Sequence, residues 1–221
     1  GILQDLYAHD PLLGPALASG LATEAMARVA NQDAAMTQPD GPAANGPPRP
    51  GAAQARKLGA TLAGFMVQPG GALVAAVEMD GFDTHAGQGA AQGVLATRLA
   101  YVDAFLDGLS AGLGPAWRDT VVVMATEFGR TARVNGTGGT DHGTASTALL
   151  LGGALKKGGI VGDWPTLAQK ALFENRDTAP TLDMRGLFKG VLRDHLGVDR
   201  VKLDTLVFPG SAEAAPVSGV V

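Results

Sequence analysis

The sequence lacks cysteine altogether, and this absence narrows the chemistry that the chain can perform. None of the 221 residues is a cysteine, so disulfides, thiolate metal ligands and cysteine nucleophiles are excluded within it. An excess of basic residues is also missing, because 17 lysines and arginines stand against 21 acidic residues. A surface that tracks a nucleic-acid backbone needs a basic stripe, so we expect no nucleic-acid partner.

Long apolar runs are absent as well. No stretch approaches the roughly 20 apolar residues that span a bilayer, and the chain does not open with a basic and then apolar export signal. An apolar content of 46% is instead typical of a soluble globular domain with a sizeable core. Because the chain opens at Gly1 without a methionine, we expect it to be a processed or truncated product.

We expect residues 1–221 to form one partial α/β domain with two irregular segments. Residues 31–51 are rich in proline, glycine, alanine and asparagine, which predicts a flexible loop, and the small residues of 208–221 predict a frayed tail. Helical spacing predicts helices over 52–67, 95–113 and 182–196, the first burying Leu58, Leu62, Phe65 and Met66. Apolar runs predict buried strands over 72–79 and 121–125.

The two predicted strands flank a predicted helix, which is the order of a βαβ unit. If the strands are parallel, their ends face the same rim of the sheet, where open α/β sheets bind ligands. The charged and ligand-capable side chains at the predicted rim are Asp83, His85, Glu127, Arg130, Asp141 and His142. The sequence therefore predicts a polar cluster at one edge of the sheet.

Carboxylate and imidazole groups together suit a divalent metal such as zinc or manganese. A bound ion polarises a phosphoryl-type oxygen or lowers the pKa of a bound water to roughly 7. Arg130 would add a planar fork of donors that pairs with a phosphate- or sulfate-like group. The combination indicates hydrolysis of a small anionic ester.

Each motif also has a purely structural explanation. An Asp-Thr-His or Asp-His motif can occur by chance, and Glu127 and Arg130 can form an ion pair that caps a strand end. Asn135 can be a turn former, and the isolated His9 and His195 are not expected to be ligands. Only the co-occurrence of the motifs at one predicted rim favours a metal site.

The ordered motifs resemble those of the domain-of-unknown-function 1501 family. They are Gly-Phe-Asp-Thr-His at 81–85, Thr-Glu-Phe-Gly-Arg-Thr at 126–131, Gly-Thr-Asp-His-Gly at 139–143 and Gly-Gly-Ile-Val-Gly-Asp at 158–163. This family is similar to the alkaline phosphatase and sulfatase superfamily. The resemblance implies a doubly wound, mostly parallel sheet with helices on both faces, here lacking its N-terminal strand or strands. It also implies a periplasmic or exported protein, because relatives commonly carry twin-arginine signals.

The resemblance further implies roles for individual residues. The implied metal ligands are Asp83, His85, Glu127 and His142, with Asp141 as a further ligand or as the residue that orients one. Phe128 stands where the superfamily usually has a second histidine, so the number of ions stays open. Arg130 is expected to bind the anion.

A Gly-Gly-Asn-Asp-Gly type motif, which usually precedes these elements, is absent before residue 72. Thr84, Thr126 and Thr144 do not match the position of the superfamily nucleophile, so none is assigned. Two hypotheses follow. The chain is a metal-dependent hydrolase of phosphate or sulfate esters, or it is a catalytically incomplete exported binding or assembly module that keeps the fold.

Overall fold

The computed structural model describes residue 10 and residues 51–221, and it is a mixed α/β structure. Nearly all of the 31–51 segment, which is predicted to be a flexible loop, lies outside the described residues. The main helices are α1 (Ala52–Met66), α2 (Val94–Leu113), α3 (Met184–Leu196) and the short α4 (Arg200–Lys202). The strands are β1 (Val122–Met124), β2 (Gly129–Arg130), β3 (His142–Gly143) and β4 (Leu149–Leu151). Short 3-10 turns span Gly114–Asp119 and Gln169–Ala171, and a π-helical turn spans Leu203–Val207.

The described residues fall into two compact units, one containing residues up to Phe65 together with Tyr101–Gly112, and the other containing Met66–Ala100 and Leu113–Val221. In the first unit, α1 meets residues of α2 through small side chains. Ala55 and Ala63 are fully buried, and a Cβ at Gly59 would overlap the backbone of Phe105. The prediction that Leu58 is buried is therefore wrong, because this side chain is 43% exposed. Close approach of two helix backbones favours small residues over large ones at the contact.

In the second unit, the strands pair antiparallel and not as a parallel βαβ unit. Strand β1 pairs with β4, with Val122 opposite Leu151, and β2 pairs with β3. The prediction of a strand over 72–79 is wrong, since this run pairs with no strand in the described part of the chain and Leu73 is 87% exposed. An apolar run becomes a strand only where a neighbouring edge supplies its hydrogen bonds. The expected doubly wound parallel sheet is thus not found among the described residues.

The predicted C-terminal helix is confirmed as α3. The Asp183 side chain caps its first turn by accepting from the Arg185 amide at 2.8 Å, and Gly197 ends it with φ 66°. Both signals are local, because an N-cap carboxylate satisfies a free amide and glycine adopts the left-handed conformation without strain.

Residues 208–221 were expected to fray, but the structure holds them against α3. The fully buried Lys189 ammonium donates to Asp204 Oδ1 at 2.5 Å and to the carbonyl oxygens of Ser211 and Ala214. Val220 packs with Val191 in a buried cluster. A buried ammonium must have its donors satisfied, and tail carbonyls do so here. In the part of the chain that is described, no helix is long and apolar enough to cross a membrane.

Candidate metal centre

Buried threonines join the segment that carries Asp83 and His85 to the segment that carries Asp141 and His142. Thr84 and Thr140 are both buried, and each donates its hydroxyl to Gln88 Oε1 at 2.8 Å. The Thr140 amide also donates to the Thr84 carbonyl at 3.2 Å. Because Thr84 lies between Asp83 and His85 and Thr140 directly precedes Asp141, these bonds fix the two ligand-carrying segments side by side.

Asn135 organises the loop between β2 and β3. Its Oδ1 accepts from the amides of Thr137 and Gly139, both at 3.0 Å, and from the Thr137 hydroxyl at 2.8 Å. Its Nδ2 donates to the carbonyl of His85 and to Asp141 Oδ1, each at 2.9 Å. One amide side chain therefore closes a turn with its oxygen and holds two predicted site residues with its nitrogen.

The β2–β3 pairing places Arg130 directly opposite His142. The Arg130 guanidinium donates from Nη2 to the Phe82 carbonyl at 2.7 Å and to Asp83 Oδ1 at 3.0 Å. It also donates from Nη1 to the Thr140 carbonyl at 2.7 Å. Arg130 thus ties together the two segments that carry the candidate ligands and holds the carboxylate of Asp83.

Asp83, His85 and His142 converge, and their ligand atoms all lie within 4.8 Å of one another. Asp83 Oδ1 is 2.8 Å from His142 Nε2 and 2.9 Å from His85 Nε2. Each of the three side chains is about half exposed, so the cluster opens to solvent on one side. Access from solvent is needed if the cluster is to bind both an ion and a further ligand.

The hydrogen bond from His142 is the main factor that holds the pKa of Asp83 below its ordinary value of 3.8. The charges of both histidines and the hydrogen bond from Arg130 act in the same direction, against partial desolvation. The pKa of Asp141 is lowered chiefly by the hydrogen bond from Asn135 and next by that from His85. Both carboxylates are therefore anionic at neutral pH, the form that binds cations.

The donor set fits a divalent ion of borderline softness. Two imidazole nitrogens and one carboxylate oxygen are ligands that zinc accepts, and three protein ligands leave a further position open. Ligands bonded to zinc tetrahedrally lie about 3.3 Å apart, so the atoms in contact here would separate by only a few tenths of an ångström. His85 Nδ1 lies 3.3 Å from Asp141 Oδ1, which turns Nε2 towards Asp83. Such a carboxylate partner is the usual means of orienting a metal-ligating histidine.

An aromatic wall supports His142. The Phe128 ring stacks on the imidazole with a centroid separation of 4.0 Å and an interplanar angle of 16°. The Arg130 guanidinium lies 4.8 Å from the centroid of the same Phe128 ring. Phe128, which stands at the position where a second histidine was expected, therefore packs against a candidate ligand.

The structure places the remaining predicted site residues differently. Asp141 contacts His85 and is outside the group of three converging ligands. Glu127 is exposed between β1 and β2 and does not belong to that group either. The sequence analysis did not predict Gln88 or Arg176. Gln88 accepts from the two buried threonines, and Arg176 donates from Nη2 to the His142 carbonyl at 3.1 Å. Neither lies in a ligand-like motif, so no local signal marked them.

The fold and the site together define a mixed α/β protein with a candidate metal centre of one aspartate and two histidines. The chain belongs to the family described as Protein of unknown function (DUF1501), which matches residues 6–207. No curated protein matches the chain. No solved structure matches it either.

Proposed function

We propose that this chain is a metal-dependent hydrolase of small phosphate or sulfate esters. The convergence of the ligand atoms of Asp83, His85 and His142 at a solvent-open position carries the proposal. The resemblance of the motifs to the alkaline phosphatase and sulfatase superfamily supports the same class. The donor set favours zinc, with manganese as the second choice, and the single group of three ligands among the described residues favours one ion.

The site residues would have two kinds of role, metal binding and positioning of the metal ligands. Asp83, His85 and His142 would hold the ion, and the ion would supply a Lewis acid that polarises an ester oxygen. Asp141 orients the His85 ring, and Arg130 holds Asp83 through a charge-assisted hydrogen bond. Because these partners hold the ligands in place before an ion binds, less ordering is needed on binding.

A pair of histidine variants tests the proposal. Replacing His142 by alanine removes a proposed ligand, whereas replacing His195 by alanine removes a histidine in the last turn of α3 that does not belong to the group of converging ligands. Elemental analysis should find about one equivalent of metal in the unaltered protein and in His195→Ala, and much less in His142→Ala. Hydrolysis of phosphate and sulfate esters should follow the metal content. Unchanged metal content in His142→Ala would refute the proposed centre.

A second candidate is an exported binding or assembly module that keeps a structural metal. It is favoured by the engagement of Arg130 with protein oxygens and by the position of Glu127 outside the ligand group. Such a module would bind about one equivalent of metal and hydrolyse neither class of ester. Measuring metal and hydrolysis on the same preparation therefore separates the two candidates.

We also propose that the protein acts in the periplasm or outside the cell. The support is the family resemblance alone. Fractionation of cells that express the native protein tests this, because a periplasmic protein should be released with the periplasmic fraction. Recovery with the cytosol would contradict it.

A further inference from the structure

Arg130, which was expected to bind the substrate anion, already forms hydrogen bonds with protein oxygens. Arg130 donates from both Nη atoms to protein oxygens, and only 23% of its side chain is exposed. A bidentate pair with an incoming phosphate would require the end of the guanidinium to leave the carbonyl groups of Phe82 and Thr140. Those carbonyls would then lose charge-assisted hydrogen bonds, which makes such an exchange costly.

Arg176, which contacts His142, is more exposed to solvent than Arg130. Its side chain is 57% exposed, and its Nη2 donates to the His142 carbonyl at 3.1 Å. Its backbone is fixed on both sides, since its amide donates to Phe173 and its carbonyl accepts from Ala132, each at 3.0 Å. The backbone of Arg176 is thus held in place, while its guanidinium reaches the backbone carbonyl of His142, a proposed ligand.

Within residues 51–221, the other donors of Arg176 make only weak contacts. Nη1 lies 3.4 Å from Asp177 Oδ1, and this buried oxygen has no hydrogen-bond partner among the described residues. The other oxygen, Oδ2, accepts from the Thr144 hydroxyl at 3.0 Å. Asp177 therefore acts on Arg176 through charge and leaves part of its planar fork available.

We propose that Arg176 binds the tetrahedral oxyanion of the substrate, phosphate or sulfate, while Arg130 positions Asp83. This inference rests on the proposed function and names the anion-binding residue of the same site. The planar guanidinium matches two oxygens of such a group.

The local charge balance predicts that anion binding also needs the metal. Three carboxylates contact residues of this centre, those of Asp83, Asp141 and Asp177, whereas two guanidinium groups, of Arg130 and Arg176, pair with them. An anion that approaches without a metal ion would meet an excess of carboxylate charge. Phosphate affinity should therefore depend both on the ion and on Arg176.

Calorimetric titration of the full chain with zinc, and then with inorganic phosphate or sulfate, tests the inference. Arg176→Gln should weaken phosphate binding by about 10-fold or more, as expected for loss of a charge-assisted pair. Arg176→Lys should recover part of the affinity. Arg133→Gln, in an exposed residue of the nearby loop, is the matched control and should bind as the unaltered protein does.

Zinc affinity separates the possible outcomes. If Arg176 binds the anion, Arg176→Gln should keep its zinc affinity within about 2-fold and lose only phosphate. If Arg176 merely braces His142, zinc and phosphate affinities should fall together, and the inference is overturned. Phosphate binding unaffected by Arg176→Gln, or absent from the zinc-loaded unaltered protein, also overturns it. Absence of zinc binding in the unaltered protein instead refutes the proposed function.

Discussion

Asn135→Ala is the most informative single change, because one side chain serves both the loop and the site. The substitution removes the acceptor of the Gly139 amide, and Gly139 is buried, so water cannot easily replace the lost partner. An unpaired buried amide costs about 1–3 kcal/mol. The His85 carbonyl retains the Thr137 hydroxyl at 2.7 Å, and Asp141 retains His85, so these losses are partial. We expect the free energy of unfolding to fall by roughly 2–3 kcal/mol.

Urea-induced unfolding followed by circular dichroism measures this loss, and the exchange rate of the Gly139 amide reports on the turn itself. Thr137→Ser keeps the hydroxyl and is the matched control, with an expected change below about 0.5 kcal/mol. Because Asn135 also holds Asp141, zinc affinity should fall by about 10- to 100-fold. A stability loss under about 0.5 kcal/mol with an unchanged Gly139 exchange rate would refute the reasoning.

Two further predictions concern stability. Gly59→Ala should destabilise the protein although alanine favours helix, because the new methyl group would overlap the backbone of Phe105. Gly64→Ala is the control, since its methyl group would meet no atom within 4 Å, and it should be neutral or stabilising. Thermal melts measure both changes. The pKa of Asp204 is held below 3.8, chiefly by the hydrogen bond from Lys189. The carboxylate of Asp204 therefore contributes its full stabilisation above about pH 3.8, and this contribution is lost as the pH falls through the lowered pKa. Asp204→Asn should flatten the acid side of a plot of unfolding free energy against pH. An unchanged acid side would contradict this prediction.

The ligand types could be predicted, but the exact partners could not. Asp83 and His85 share a short motif, and their chemistry indicates a metal site wherever they lie. The engagement of Arg130 depends on carbonyl groups of Phe82 and Thr140, which belong to segments brought together by folding. Both Nη atoms of Arg130 therefore bond to protein oxygens that its own sequence motif does not indicate, which is why we propose Arg176 for the anion.

Buried strands were the least predictable elements for a related reason. The runs at 72–79 and 122–124 are both apolar, but in the part of the chain that the structure describes only the second pairs with another strand, at 149–151. Composition indicates that a segment can form a strand. It does not indicate which distant edge will pair with it, or in which direction.

The sequence by itself determined the features that depend on near neighbours. The bounds of α3 follow from Asp183 and Gly197, and the two-residue spacing of Asp83 and His85 supplies two of the three converging ligands. Only the tertiary structure decided that β1 pairs antiparallel with β4, that Lys189 holds the C-terminal residues, and that Arg176 lies beside His142. Capping and ligand chemistry act over a few residues, whereas pairing and burial are decided by packing between segments far apart in the chain.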